Sequence, residues 1–150
     1  MTQIWLCELW LLILVGNGIS LVRRGCIMSE QNIVSGKKIL LVDDDQGARE
    51  SIKLLLRIDR HVVTEAQNGR EALTFLAEAP FELVIVDYFM PEMPGNELAA
   101  QIKRCAPTLP ILMVTAYFEK LVDKDNSVDG IIAKPFAVDE LRQAIAKLFS

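Results

Sequence analysis

Beyond residue 36 the chain contains short apolar runs, each followed directly by a polar residue. The runs do not alternate with polar positions and are rich in β-branched side chains, which is typical of strands buried on both faces of a parallel sheet. The runs and the residues that follow them are 39–42 with Asp43, 83–86 with Asp87, 111–114 with Thr115, and 131–133 with Lys134. Residues 61–66 alternate more strongly, and we predict an edge strand there.

Amphipathic helical patterns lie between these runs. Their apolar stripes fall in residues 48–56, 72–76, 98–102 and 141–148. Asp45 is placed to cap the first helix, and Asn68 with Glu71 is placed to cap the second. A βα unit repeated five times predicts an α/β fold with a doubly wound, five-stranded parallel sheet and right-handed crossovers.

Polar residues gather at the carboxyl ends of the predicted strands, where open α/β sheets bind ligands. They are Asp43, Asp44, Asp87, Thr115 and Lys134. Three carboxylates brought together repel one another, and Mg²⁺ relieves this repulsion while leaving room for a phosphoryl group. Lys134 and Thr115 would then contact phosphoryl oxygens. Asp87 is the most central candidate nucleophile, so we predict that it forms an aspartyl phosphate.

The bulk composition narrows the function classes. The chain has 150 residues, 51% of them hydrophobic, which suits one compact domain. Its formal net charge of -4 argues against a nucleic-acid partner, because such partners require a basic surface. Three cysteines without metal or disulfide spacing favour a reducing, cytoplasmic compartment, and we expect Cys105 to be buried helix filler. The single histidine, His61, leaves the carboxylates to carry the chemistry.

The N-terminal residues form a separate problem. Residues 4–22 are mostly apolar but are interrupted by polar residues. Because a membrane-spanning helix needs roughly 20 apolar residues, this stretch is only marginally suited to cross a membrane. Arg23 and Arg24 follow this stretch, an order that fits an inner-membrane anchor with its C-terminal side in the cytoplasm. The alternative, which we favour, is that Met28 is the true start. We therefore divide the chain into an extension at 1–28, a polar leader at 29–36 and a domain at 37–150.

Four motifs then indicate a family. LVDDD, VDYFMP, MVTA and AKPF, in this order and spacing, resemble the receiver domain of bacterial two-component response regulators over residues 37–149. Each motif alone would be weak evidence, whereas their joint occurrence is specific. The resemblance implies a flavodoxin-like sheet with strand order 2-1-3-4-5, as in the chemotaxis receiver.

The resemblance also implies a role for each matching residue. Asp87 would accept a phosphoryl group from a sensor histidine kinase or a histidine phosphotransfer protein. Asp44, Asp87 and the backbone carbonyl of Phe89 would bind Mg²⁺ directly, and Asp43 would act largely through water. Lys134 would contact the phosphoryl group or the carboxylate, with a cis peptide before Pro135. Thr115 would move inward on phosphorylation.

The chain departs from the family pattern at several positions. Ile131 stands where the switch aromatic commonly lies, which puts the usual coupling in doubt. The stretch from Thr115 to Lys134 is short, so we expect a shortened or frayed fourth helix and an unusual output face. Phe89 and Tyr117 place aromatic side chains beside the site, and our hypothesis is that they shield the phosphoryl group from water. The alternative is that they are ordinary, partly exposed aromatic residues or partner contacts.

The function we expect is a phosphoacceptor switch rather than an enzyme, acting through contact with an unknown downstream protein or through onward phosphotransfer. Because the chain ends after the last predicted helix, we expect a stand-alone regulator. One alternative is a degenerate receiver that works without phosphorylation. A second is a Mg²⁺-dependent phosphatase with an aspartyl nucleophile, although the chain lacks the Asp-x-Asp signature and cap of that class. We expect membrane association only if residues 1–28 form a real anchor.

Overall fold

The computed structural model describes residues 10–15, 18–23, 33–116 and 127–150. The chain divides into two compact units, Met1–Gln31 and Asn32–Ser150. In the first unit, strands β1 (Trp10–Val15) and β2 (Gly18–Arg23) pair antiparallel. Among the described residues, no helix is long and apolar enough to cross a membrane. Part of the proposed anchor at 4–22 and the alternative start at Met28 lie outside the described residues, so both remain predictions.

In the described part of the second unit, helices flank one parallel sheet. Its strands are β3 (Lys38–Val42), β4 (Val62–Ala66), β5 (Leu83–Asp87), β6 (Ile111–Thr115) and β7 (Gly130–Ala133). The sheet order is β4-β3-β5-β6-β7, which is 2-1-3-4-5 when the strands of this unit are counted along the chain. All four neighbouring pairs are parallel. The predicted fold and the predicted edge strand, β4, are confirmed.

Four described helices cover the two faces of this sheet. They are α1 (Gln46–Ile58), α2 (Gly69–Glu78), α3 (Gly95–Cys105) and α4 (Val138–Leu148). The last of these, α4, is the fifth helix of the sequence prediction. The predicted fourth helix falls on residues 117–126, outside the described part of the chain.

Successive strand residues feed two separate hydrophobic cores. One core joins alternate residues such as Leu40 and Val84 to side chains of α2 and α3. The other joins the intervening residues, such as Ile39 and Leu83, to side chains of α1 and α4. Every residue of β5 and β6 is buried. Burial on both faces explains the unbroken apolar runs, because burying each aliphatic side chain stabilises the fold by about 1.5–3 kcal/mol.

The two helix caps that the sequence predicts are present in the structure. The Asp45 carboxylate accepts a hydrogen bond of 2.7 Å from the backbone N–H of Ala48, and the Asn68 side chain accepts one of 2.9 Å from Glu71. The Glu71 side chain reaches back to the N–H of Gln67, one residue before the cap. The expectation for Cys105 is wrong: its side chain is exposed, because the last residue of α3 lies beyond the packed stripe.

The C-terminus of α1 contains a feature that the sequence did not suggest. The N–H of His61 bonds to the carbonyl of Leu56 at 3.2 Å, and the N–H of Arg60 bonds to the carbonyl of Arg57 at 2.9 Å. This is the double hydrogen-bond pattern of a Schellman motif, whose left-handed position is usually glycine. Here Arg60 occupies that position, with φ +63°.

Candidate functional site

Three carboxylates converge at the carboxyl edge of the sheet. Asp43 and Asp44 follow β3 directly, and Asp87 is the last residue of the adjacent strand β5. One carboxylate oxygen from each of the three lies within 4.8 Å of the others. Asp43 and Asp87 are only 2% and 8% exposed, whereas Asp44 faces solvent. Parallel strands that end at one edge bring together acids that lie more than 40 positions apart in the sequence.

Lys134 bridges two of these carboxylates. Its ammonium donates hydrogen bonds of 2.8 Å to Asp43 Oδ2 and of 2.8 Å to Asp87 Oδ1. The backbone N–H of Lys134 donates to the carbonyl of Thr115 at 2.8 Å, which ties the end of β7 to the end of β6. The peptide bond between Lys134 and Pro135 is cis, as the resemblance implied.

Burial and pairing act in opposite directions on the charges of the site. Burial raises the pKa of Asp87, while its hydrogen bond from Lys134 works in the other direction. Burial alone would lower the pKa of Lys134, but its hydrogen bonds to Asp43 and Asp87 outweigh this and raise the pKa above its ordinary value. Lys134 is therefore charged at neutral pH and offsets one of the three carboxylates. The remaining negative charge and the oxygen donors suit a hard divalent cation.

The orientation of Asp87 depends on the loop that follows β5. The backbone N–H of Phe89 donates to Asp87 Oδ2 at 2.8 Å. Gly95, the first residue of α3, donates its N–H to the carbonyl of Tyr88 at 2.9 Å. A Cβ at Gly95 would lie 3.0 Å from the carbonyl carbon of Asp87 and closer still to its oxygen. Only glycine lets α3 begin against the backbone of Asp87, a constraint that sequence reasoning missed.

Asp43 is held by its backbone and by its side chain. Its N–H donates to the carbonyl of Ala66 on β4 at 3.2 Å, and its Oδ1 accepts a bond of 2.9 Å from the N–H of Asp45. Arg49 Nη1 donates to the carbonyl of Asp43 at 2.6 Å. Sequence reasoning also missed Arg49. The signal was its position four residues after the cap Asp45, because helical side chains point back toward the N-terminus.

The other residues singled out from the sequence surround this cluster. Thr115 ends β6 and is 1% exposed, and Ile131 lies on β7 and packs partly buried against one core. Phe89 is 61% exposed, with the Tyr88 ring edge-to-face at 5.3 Å. Tyr117 lies outside the described residues. The shielding hypothesis for the two aromatic residues therefore remains a prediction.

Comparison with known proteins identifies proteins that are similar to this chain. The profile of the response regulator receiver domain matches residues 39–146. The response regulator MprA of Mycolicibacterium vanbaalenii is 38% identical over 107 residues, which cover 69% of this chain and 46% of that protein. The chain thus spans about half the length of this relative.

Solved structures agree with this match. The response regulator TrrA of Thermotoga maritima, crystallised with Mg²⁺-BeF, is 34% identical with a TM-score of 0.71, covering 75% of this chain and 98% of that one. A complex of the histidine kinase ThkA with TrrA matches at 35% identity and a TM-score of 0.68, covering 76% of this chain and 99% of the matched chain. Together with the parallel sheet order and the acidic cluster at its edge, these matches show that the chain belongs to the receiver domain family of two-component response regulators.

Proposed function

We propose that Asp87 is the phosphoacceptor of this receiver domain and that a phosphohistidine is its donor. The observation that carries the proposal is the position of Asp87: its carboxylate lies at the end of the central strand β5, bonded to Lys134 and within 4.8 Å of the Asp43 and Asp44 carboxylates. The complex of TrrA with the histidine kinase ThkA supports a donor of this kind.

We further propose that the acidic cluster binds Mg²⁺. The donor set fits, because carboxylate oxygens at one solvent-accessible edge are the ligands that this cation prefers. Asp44, Asp87 and the backbone carbonyl of Phe89 would hold it directly, and Asp43 would act through water. The similar protein TrrA was crystallised with Mg²⁺-BeF, which supports a Mg²⁺ site in this chain. When bound, Mg²⁺ neutralises negative charge on the phosphoryl oxygens.

The chain's own residues supply the remaining chemistry. One carboxylate oxygen of Asp87 attacks the phosphorus of the donor, the phosphorus–nitrogen bond breaks, and the imidazole leaves and recovers a proton from solvent. Lys134, already bonded to Asp87, keeps its positive charge beside the transferring oxygens. Once the phosphoryl group is attached, the hydroxyl of Thr115 at the end of β6 donates a hydrogen bond to it.

The partners follow from the same proposal. They are a sensor histidine kinase or a histidine phosphotransfer protein as donor, and a downstream protein as the receiver of the signal. The domain at 37–150 acts as a regulatory switch rather than as an enzyme with an external substrate. The division of the chain at Gln31 and Asn32 supports treating residues 1–28 as separate from this domain, whereas residues 32–36 of the leader belong to the same compact unit as the domain.

The test is the intact mass of the full chain after incubation with acetyl phosphate, with and without Mg²⁺. We expect the wild type to gain one phosphoryl group only when Mg²⁺ is present, and Asp87→Asn to gain none. Asp45→Asn is the matched control, because Asp45 is an exposed helix cap that carries the same charge near the site. Equal labelling of Asp87→Asn and wild type would reject Asp87 as the acceptor. A folded wild type that takes no phosphoryl group from acetyl phosphate or from a phosphorylated kinase would favour the phosphorylation-independent receiver.

A further inference from the structure

The Arg49 side chain connects the turn that carries the acidic residues to the edge strand of the sheet. Its Nη1 donates to the backbone carbonyl of Asp43 at 2.6 Å, and its Nε lies 3.8 Å from Glu65 Oε1 on β4. The Arg49 side chain is 14% exposed, which is low for an arginine. The phosphoryl-transfer chemistry proposed above uses neither contact.

The carbonyl that Arg49 holds belongs to the peptide that links Asp43 to Asp44. Because a peptide unit is planar, fixing the direction of its C=O also fixes its N–H and the start of the next residue. The other side of Asp43 is held by the hydrogen bond from its N–H to Ala66. The direction in which Asp44 leaves the sheet therefore depends on the bond from Arg49.

The charge of Arg49 is already balanced on the side away from the acids. Glu65 pairs with Arg49 through Oε1 and with Lys53 through Oε2, so a carboxylate lies between two cations. A guanidinium can contact the Asp43 carbonyl and the Glu65 carboxylate at once through its planar fork. The compact ammonium of a lysine lacks this fork and keeps only the charge.

We propose that Arg49 is a positioning residue for the cation site, setting the separation between the Asp44 and Asp87 carboxylates by fixing the peptide between Asp43 and Asp44. This inference rests on the proposed Mg²⁺ site. A positioning role and a purely electrostatic role of Arg49 predict opposite changes in Mg²⁺ affinity when Arg49 is replaced. A positive charge beside a cation site repels the cation, so removing that charge would tighten binding, whereas losing the correct geometry weakens it.

The experiment measures the Mg²⁺ dissociation constant of the full chain by isothermal titration calorimetry. Arg49→Met removes the donor and the charge, and Arg49→Lys removes the fork and keeps the charge. Arg57→Met is the matched control, because Arg57 is an exposed arginine in the last turn of the same helix. We expect about tenfold weaker binding for Arg49→Met, a loss in the same direction for Arg49→Lys, and no change for Arg57→Met.

Two further measurements separate positioning from general destabilisation and from failure of the cation site. Amide hydrogen exchange should accelerate at Asp44 and Asp45 in both Arg49 variants, while exchange in β5 and β6 stays at the wild-type rate. Unchanged or tighter Mg²⁺ binding by Arg49→Met, beside a wild type that binds, overturns the role of Arg49 and leaves the cation site intact. A wild type that binds Mg²⁺ no better than Asp44→Asn overturns the cation site and the Arg49 role together.

Discussion

Replacing Gly95 by alanine should slow the phosphorylation of Asp87 while most molecules of the variant remain folded. In the folded chain the added Cβ would lie 3.0 Å from the carbonyl carbon of Asp87 and 3.1 Å from the Cα of Tyr88. Carbon atoms in favourable contact are about 3.5–4.0 Å apart, and the added Cβ would lie closer still to the carbonyl oxygen of Asp87. This closest contact sets the required displacement, which is about 1 Å. All three contacts are to backbone atoms, which no side-chain rotation can relieve.

The displacement acts on the backbone of the proposed phosphoacceptor. A misplacement of about 1 Å in a catalytic group can reduce a rate by about 100-fold, so we expect the phosphorylation rate to fall by up to about 100-fold. Overpacking typically destabilises a fold by about 1–3 kcal/mol, against a usual total of about 5–15 kcal/mol. Most Gly95→Ala molecules should therefore remain folded at 25 °C.

The assay follows the intact mass of the chain with time in acetyl phosphate and Mg²⁺, with the folded fraction measured on the same samples. Gly47→Ala is the matched control, because its Cβ would meet only the Asp45 carboxylate, at 3.3 Å. We expect Gly47→Ala to be phosphorylated at nearly the wild-type rate. If folded Gly95→Ala is phosphorylated as fast as the wild type, the argument that Gly95 positions Asp87 is wrong.

Three other predictions concern single residues. Arg60→Gly should raise the free energy of unfolding by about 1 kcal/mol in chemical denaturation, because it removes the left-handed strain of a residue at φ +63°; an equal or lower value would contradict this reasoning. Burial lowers the pKa of His61, so the folded pKa lies below the unfolded value near 6.5. The stabilisation from neutral His61 is complete above pH 6.5 and is lost as the pH falls through the folded pKa. NMR titration of this single imidazole should show the lowered pKa, and His61→Gln should flatten the decline of unfolding free energy between pH 7 and 5. Phe89→Ser should shorten the lifetime of the Asp87 phosphate if the exposed ring shields it, and an unchanged rate of phosphate loss would reject the shielding hypothesis.

Most local elements of residues 37–150 could be predicted from the sequence, whereas the antiparallel strands β1 and β2 were not predicted. Apolar runs without alternation predicted the strands, because those strands are buried on both faces. Asp45 and Asn68 were identified as helix caps, because a cap depends on a side chain and an N–H only three residues away. The strand order came from the resemblance to receiver domains, since periodicity alone does not order parallel strands.

Some local features were missed where tertiary contacts override a local preference. Sequence rules place glycine at the left-handed end of a helix, yet Arg60 holds that position between a packed helix and the buried His61. The exposure of Cys105 depends on where the packed stripe of α3 ends, which residue type alone does not determine.

The sequence by itself determined which residues end the strands, and therefore which acids, threonine and lysine share one edge of the sheet. Only the tertiary structure decided which of them touch. Lys134 bonds to Asp43 across 91 positions and to Asp87 across 47. The contacts of Arg49 and Gly95 with the backbone of the acidic residues arise from the way α1 and α3 pack on the sheet. Such contacts depend on distances of a few tenths of an ångström between distant segments, which no pattern of neighbouring residues specifies.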